Sequence, residues 1–217
     1  MVGWRLWRLD GDSLHSLGAR YAWSIGENTA VCRRAEGARC ASVPGAGCEC
    51  GLWALNSPLA AMELGTNYYR LYDWLGVAAR AYLGLEPRHR LVLGLVKSFG
   101  SIAVHGNEAF RAERASIECL FLDSLTPIFD DRPWHELLAP VWLVDALRRL
   151  AGSADPLHRI AARYGVPCTS IETALSTDLL HELGVGEDSF RQLRAWQHYR
   201  RKRHPRPKPP TLRLRMA

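Results

Sequence analysis

Apolar and polar residues alternate along much of the N-terminal half of the chain, a pattern that predicts strands. In residues 1–31 tryptophans and leucines interleave with arginines, which indicates short strands and turns. Residues 90–105 include several β-branched residues and are broken by glycines, as in a bent, half-buried strand. After a turn at 106–108, residues 110–122 alternate again. We therefore predict an antiparallel hairpin as the spine of a small sheet.

Apolar spacing becomes helical in two further regions. Ser57-Pro58 is typical of a helix start, and a second helix is predicted over residues 68–83. Beyond Pro133 the pattern predicts a helix at 134–150, two short helices, and a last helix over residues 187–203. The predicted fold is α+β: a small antiparallel sheet with helices and a Cys-rich zinc-bound loop, then a helical, helix-turn-helix-like C-terminal part. The predicted units are 1–126, 127–190, and a basic helix end with a flexible tail at 191–217.

Four cysteines, Cys32, Cys40, Cys48 and Cys50, fall within nineteen residues. The segment between them is rich in Gly, Ala and Ser and is too polar to bury a core, so something else must hold it. Four thiolates are a ligand set for tetrahedral Zn²⁺, which we predict here as a structural ion. Its net charge of about −2 would be offset by nearby arginines, for which the candidates are Arg33, Arg34 and Arg39.

Other interpretations of the cysteines stay open. An iron–sulfur cluster uses the same ligands, and the thiols could also be unligated. The Cys48-x-Cys50 spacing restricts both thiolates from reaching one ion, so His15 or His105 could replace one ligand. Cys119 lies among apolar positions and is predicted to be a core residue.

Three motifs resemble those of an uncharacterised family of actinobacterial and phage-associated proteins. They are Trp23-x2-Gly26-x-Asn28-x-Ala30-x-Cys32, Cys48-x-Cys50-Gly51-Leu52-Trp53-Ala54, and His105-x4-Phe110-Arg111-Ala112-Glu113-x-Ala115. Ala109 stands where the family has glycine. The similarity covers residues 4–122 and implies no particular activity.

A helix-turn-helix pattern lies between residues 157 and 175. The expected small residue, turn glycine and two apolar residues are present as Ala161, Gly165, Val166 and Ile171. The pattern places Thr169, Ser170, Glu172 and Thr173 outward on a second helix, where the threonines and serine would contact DNA. A hairpin of helices that only pack together has the same apolar stripe, and Glu172 disfavours base contacts.

Positive charge is concentrated at the C-terminus. Residues 191–217 hold ten Lys and Arg, and no acidic residue follows Asp188; the other eighteen basic residues are outnumbered by twenty-two acidic ones. Such a tail binds phosphate backbones. The predicted contacts are Arg200, Arg201, Lys202, Arg203, Arg206 and Lys208, with Trp196 and Tyr199 available to stack on bases. A solubilising tail or a docking peptide for an acidic partner is the alternative.

His105, Glu108, Arg111 and Glu113 form the one group that resembles a catalytic constellation. A hairpin turn with Arg111 and Glu113 paired along one strand is the simpler interpretation. The sequence therefore favours a non-enzymatic, zinc-stabilised nucleic-acid-binding or regulatory accessory protein, of phage or mobile-element origin. A protein-interaction adaptor and a hydrolase centred on His105 are the alternatives. With no apparent secretory signal or membrane segment, we expect a cytoplasmic location.

Overall fold

The computed structural model of the chain describes residues 1–17, 21–32, 34, 40–45, 47–74, 90–122 and 156–203. Its strands are β1 Val2–Asp10, β2 Ser13–Ser16, β3 Glu27–Thr29, β4 Leu52–Leu55, β5 Arg90–His105, β6 Ala109–Phe121 and β7 Cys168–Thr169. Its helices are α1 Pro58–Trp74, α2 Pro156–Tyr164, α3 Ile171–Ser176, α4 Leu179–Glu182 and α5 Glu187–Arg203. The α+β class is confirmed. The two helices predicted around residues 58–83 are one continuous helix as far as Trp74.

The predicted hairpin of β5 and β6 is the centre of the sheet. β5 pairs with β6 on one edge and with β1 along the other. β4 pairs with β6 and also meets β1 at Trp4 and Leu55, so β1, β5, β6 and β4 form a ring of hydrogen-bonded strands. The sheet is mixed rather than purely antiparallel, because β7 runs parallel to the end of β6.

The run Leu91–Val96 is apolar at nearly every position because the sheet is covered on both faces. Leu93 and Leu95 point into one cluster, with Trp4 and Phe121. Val92 and Val96 point into a second cluster, which is built around Trp7, Trp23, Phe110 and Leu120. Cys119 is fully buried in the first cluster, as the sequence predicted.

The predicted bend in β5 is a bulge. The register with β6 shifts between Phe99 and Ile102, and Gly100 takes φ +77 there. The Ser101 N–H donates to the Glu113 carboxylate across the bulge at 3.0 Å, and this bond lowers the pKa of Glu113. Glu113 is therefore turned toward the bulge, whereas the sequence analysis predicted that it pairs with Arg111.

The C-terminal helices pack on the same two faces of the sheet. Leu157, Ile160 and Tyr164 of α2 belong to the Trp7 cluster, whereas Ile171 and Ala174 of α3 belong to the Trp4 cluster. α5 adds Phe190, Leu193 and Trp196 to the Trp4 cluster. Each of the two clusters thus contains buried side chains from before and from after residue 126, the predicted domain boundary. The predicted boundary itself, and the helix predicted at 134–150, lie outside the described residues. None of the described helices is long and apolar enough to cross a membrane.

A test of the sheet packing is Gly94→Ala. A Cβ at residue 94 would lie 2.8 Å from the Trp7 ring and press on the backbone carbonyl of Cys119, which cannot rotate away. We expect unfolding free energy to fall by about 1–3 kcal/mol in chemical denaturation. Gly186→Ala is the control, since a Cβ there meets nothing within 4 Å. Equal stability of the two variants would contradict this packing.

Candidate metal centre

The cysteine loop leaves and rejoins the sheet at neighbouring places on one edge of β6. Thr29, at the end of β3, pairs with Arg114, and Leu52, at the start of β4, pairs with Ala112. Cys32 lies just after β3 and Cys50 just before β4, so strand pairing alone brings these two cysteines close together. Cys40 and Cys48 lie on the chain between them.

The four sulfur atoms converge, as predicted. The Sγ atoms of Cys32 and Cys40 are 3.7 Å apart, those of Cys32 and Cys48 are 3.9 Å apart, and those of Cys40 and Cys50 are 3.7 Å apart. All four lie within 4.8 Å of one another, and none forms a disulfide. Tetrahedral zinc with Zn–S bonds of about 2.3 Å separates its sulfurs by about 3.8 Å. The four residues therefore fit one tetrahedral ion, although the Cys-x-Cys spacing had argued against it.

Backbone N–H groups point at these sulfurs. Cys40 N–H donates to Cys32 Sγ at 3.5 Å, Cys50 N–H to Cys48 Sγ at 3.3 Å, and Gly45 N–H to Cys50 Sγ at 3.4 Å. The bond from Cys40 N–H, aided by one from the Arg34 backbone, lowers the pKa of Cys32 to about 6. The pKa of Cys40 is raised to about 12, first by its hydrogen bond to Cys48. A metal ion would let all four ionise together.

Two glycines let the loop wrap closely. A Cβ on Gly45 would lie 2.5 Å from Cys40 Sγ. Gly51 has φ +128, and a Cβ there would lie 2.8 Å from the Cβ of Arg111. Glycine is thus needed at residue 45 for the loop to pass Cys40 Sγ, and at residue 51 for the chain to pass Arg111.

Arg111 supports the cysteine loop, whereas the sequence analysis paired it with Glu113 along one strand. It is only 4% exposed, and its guanidinium donates to the backbone carbonyls of Cys48 and Cys50. It also donates to His105 Nε2 at 2.6 Å. It reaches the loop because β4 places Trp53 directly opposite Arg111. Its charge therefore lies beside the backbone of two of the four cysteines. Arg34 also bonds the loop, at the Gly47 carbonyl, while Arg33 and Arg39 lie outside the described residues.

The two histidines considered as alternative ligands, His15 and His105, contact neighbouring strands and side chains. His15 pairs with Arg8 between β2 and β1. His105 accepts from Arg111 and stacks on Trp53, with ring centres 4.7 Å apart. Neither histidine joins the cysteines in the one metal-binding group found among the described residues. Arg111 is bonded to His105 and to the cysteine loop, whereas Glu113 accepts from Ser101, so the pairing of Arg111 with Glu113 predicted for this turn is not formed.

The residues predicted to contact nucleic acid lie on several elements, and only some of them lie where the sequence analysis placed them. Thr169 lies in β7 and Ser170 caps α3, so neither is on the second helix as predicted; Thr173 is on α3, and its Oγ1 lies 2.9 Å from Ser170 Oγ. Arg200, Arg201, Lys202 and Arg203 fall in the last turn of α5. Trp196 is 8% exposed in the core and is not free to stack on bases, whereas Tyr199 is half exposed. Arg206 and Lys208 lie outside the described residues.

Comparison with protein-family models, with curated proteins and with solved structures finds no match to this chain.

Proposed function

We propose that this chain is a zinc-stabilised, non-enzymatic nucleic-acid-binding protein of a regulatory or accessory kind. We place it in the cytoplasm and extend the proposal to an origin in a phage or mobile element, in keeping with the three N-terminal motifs. Zn²⁺ is the proposed ion because four thiolates in a tetrahedral arrangement are its usual structural set and leave no open coordination position.

The observation that carries nucleic-acid binding is the attachment of the basic C-terminus to the core. α5 buries Phe190, Leu193 and Trp196, while Arg191 and Arg194 on the same helix remain exposed. The basic run at residues 200–203 continues this helix, so this part of the charge lies on an element whose earlier turns pack against the core. Cations displayed in this way neutralise phosphates and release counterions.

We give the helix-turn-helix-like segment a smaller part. Gly165 makes the expected turn, with φ +67, and Val166 N–H bonds the Ala161 carbonyl at 3.0 Å. However, α3 has only six residues, and its first turn carries Glu172. Contacts from Thr169, Ser170 and Thr173 would therefore add to binding by α5 and the residues after it, with DNA as the proposed partner.

The test measures DNA affinity against salt for two variants that each lose two charges. Arg201→Gln/Lys202→Gln should make the negative slope of log K against log salt shallower by about 1.8 for duplex DNA, because each lost phosphate contact removes about 0.9. Lys97→Gln/Arg159→Gln, on the body of the protein, is the control and should leave the slope unchanged. Substitution is used because deleting the chain from residue 190 would remove core side chains.

Equal slopes for both variants, or no binding by the natural chain at about 50 mM salt, would contradict DNA binding through the C-terminus.

The second candidate function is a zinc-shaped protein-interaction adaptor. Its supporting observation is exposed apolar side chains beside the metal loop, with Val31 65% exposed and Leu64 47% exposed. An adaptor would bind a protein partner with no dependence on Arg201 and Lys202.

A further inference from the structure

Trp53 lies at the mouth of a cleft beside the metal centre. The cleft is bounded by the cysteine loop, by Arg5 of β1 and by His105 at the end of β5. Trp53 alternates with the buried Leu52 and Ala54 on β4, so strand pairing turns its ring away from the core. It is 38% exposed, whereas Trp4, Trp7 and Trp23 are buried.

The Trp53 ring is held in place before any ligand binds. Its Nε1–H donates to the Glu49 carbonyl at 3.1 Å, and the His105 ring stacks on it. The Arg111 guanidinium lies 5.4 Å from the ring centre. A ligand that stacks on this ring would not have to immobilise it, so the contact loses little side-chain entropy.

Arg5 supplies a cation that lines the same cleft and contacts the backbone of Trp53. Its guanidinium donates to the Trp53 carbonyl and, at 2.7 Å, to Ser16 Oγ, and it lies 4.6 Å from the Trp23 ring centre. Within the part of the chain that the structure describes, no carboxylate pairs with Arg5, and its buried Nε has no hydrogen-bond partner. Arg34 and Arg111 line the same cleft and donate, like Arg5, to backbone carbonyls, but their acceptors belong to the cysteine loop rather than to Trp53.

We propose that Trp53, His105 and Arg5, here called the Trp53 platform, bind one nucleotide of a single-stranded nucleic acid. The base stacks on Trp53, and Arg5 faces its phosphate. An aromatic ring with an adjacent cation is how proteins hold unpaired bases without reading sequence. A base inside a duplex is already stacked on both faces and cannot reach the ring. This inference rests on the proposed nucleic-acid function and names its substrate class.

The experiment compares binding of an oligothymidylate with binding of a blunt duplex of equal length. Trp53→Ala should weaken single-strand binding by about 5- to 150-fold and leave duplex binding within about twofold. Trp53→Phe keeps an aromatic face and should retain most of the affinity. Ile25→Ala removes another exposed apolar side chain, away from the cleft, and should change neither affinity. Metal content is measured for every variant.

Ultraviolet crosslinking of the natural chain to the oligonucleotide gives a result that does not depend on a variant folding. The crosslink should map to the peptide that contains Trp53. Equal weakening of single-strand and duplex binding, or a crosslink elsewhere, overturns the platform. If Arg201→Gln/Lys202→Gln weakens binding but Trp53→Ala does not, the platform fails and the proposed function stands. Absence of all binding overturns both, and displacement of the oligonucleotide by an acidic peptide in a Trp53-dependent way favours the adaptor instead.

Discussion

Replacing Cys48 by serine is expected to remove the metal ion and to lower the melting temperature by about 10 °C. Cys48 supplies one of four converging sulfurs, and a neutral hydroxyl does not replace a thiolate on zinc. The binding free energy of such an ion is also folding free energy, roughly 10–16 kcal/mol in small zinc peptides. The cysteine loop leads directly into β4, which closes the ring of strands at Leu55, so loss of the ion should destabilise the sheet. We expect the free energy of unfolding to fall by ~3–5 kcal/mol, which corresponds to this change in melting temperature for a chain of this size.

The measurements are metal content by mass spectrometry, thermal unfolding by circular dichroism, and the absorption spectrum after cobalt substitution. Cobalt bound by four thiolates absorbs in the visible region with a tetrahedral pattern, and an iron–sulfur cluster would give a brown protein as purified. Cys168→Ser is the matched control, since Cys168 lies in β7 away from the cluster. A Cys48→Ser protein that keeps both one zinc per chain and the melting temperature of the natural protein would contradict a role for Cys48 as a ligand.

Arg111→Met is expected to cost about 3 kcal/mol of unfolding free energy, because it leaves two loop carbonyls and His105 without their donor. Methionine keeps most of the apolar stem, so the loss reports on the guanidinium rather than on a cavity. We also expect zinc affinity to fall about 10- to 100-fold, as is usual when a group that supports the ligands is removed. Competition with a chromophoric chelator measures that affinity.

Arg114→Met, three residues along the same strand, is the control. Arg114 forms an ion pair with Glu27 at 3.3 Å, and both side chains are more than two-fifths exposed. Such pairs contribute at most about 1 kcal/mol, so this variant should be nearly as stable as the natural protein and keep its zinc affinity. Similar losses in the two variants would mean that Arg111 acts as an ordinary surface arginine.

The spine of the fold and the convergence of the four cysteines could be predicted because their signals are local. Glycines and β-branched residues over 90–105 mark a bent strand, and four cysteines within nineteen residues form a compact ligand set for one metal ion. The place of Arg111 beside the loop was not accessible in this way. It depends on the register of β4 against β6, which joins residues far apart in the chain.

Trp196 was misassigned although a local signal was present. Phe190, Leu193 and Trp196 recur every three residues, which is an apolar helical stripe, but a boundary placed at residue 191 divided that stripe and left Trp196 with the tail. Thr169 was misplaced for a different reason. β7 has two residues and exists only because β6 offers its edge, so no pattern within the segment reveals it.

The pairing of the longest strands limits the kinds of partner this molecule can take. β1, β5 and β6 have neighbours along both edges among the described residues, and only strands of two to four residues lie outermost. A peptide that docks by adding a strand needs a long row of unpaired backbone groups, which this sheet does not offer there. A ligand that meets β1, β5 or β6 would therefore contact side chains rather than a free row of backbone N–H and C=O groups.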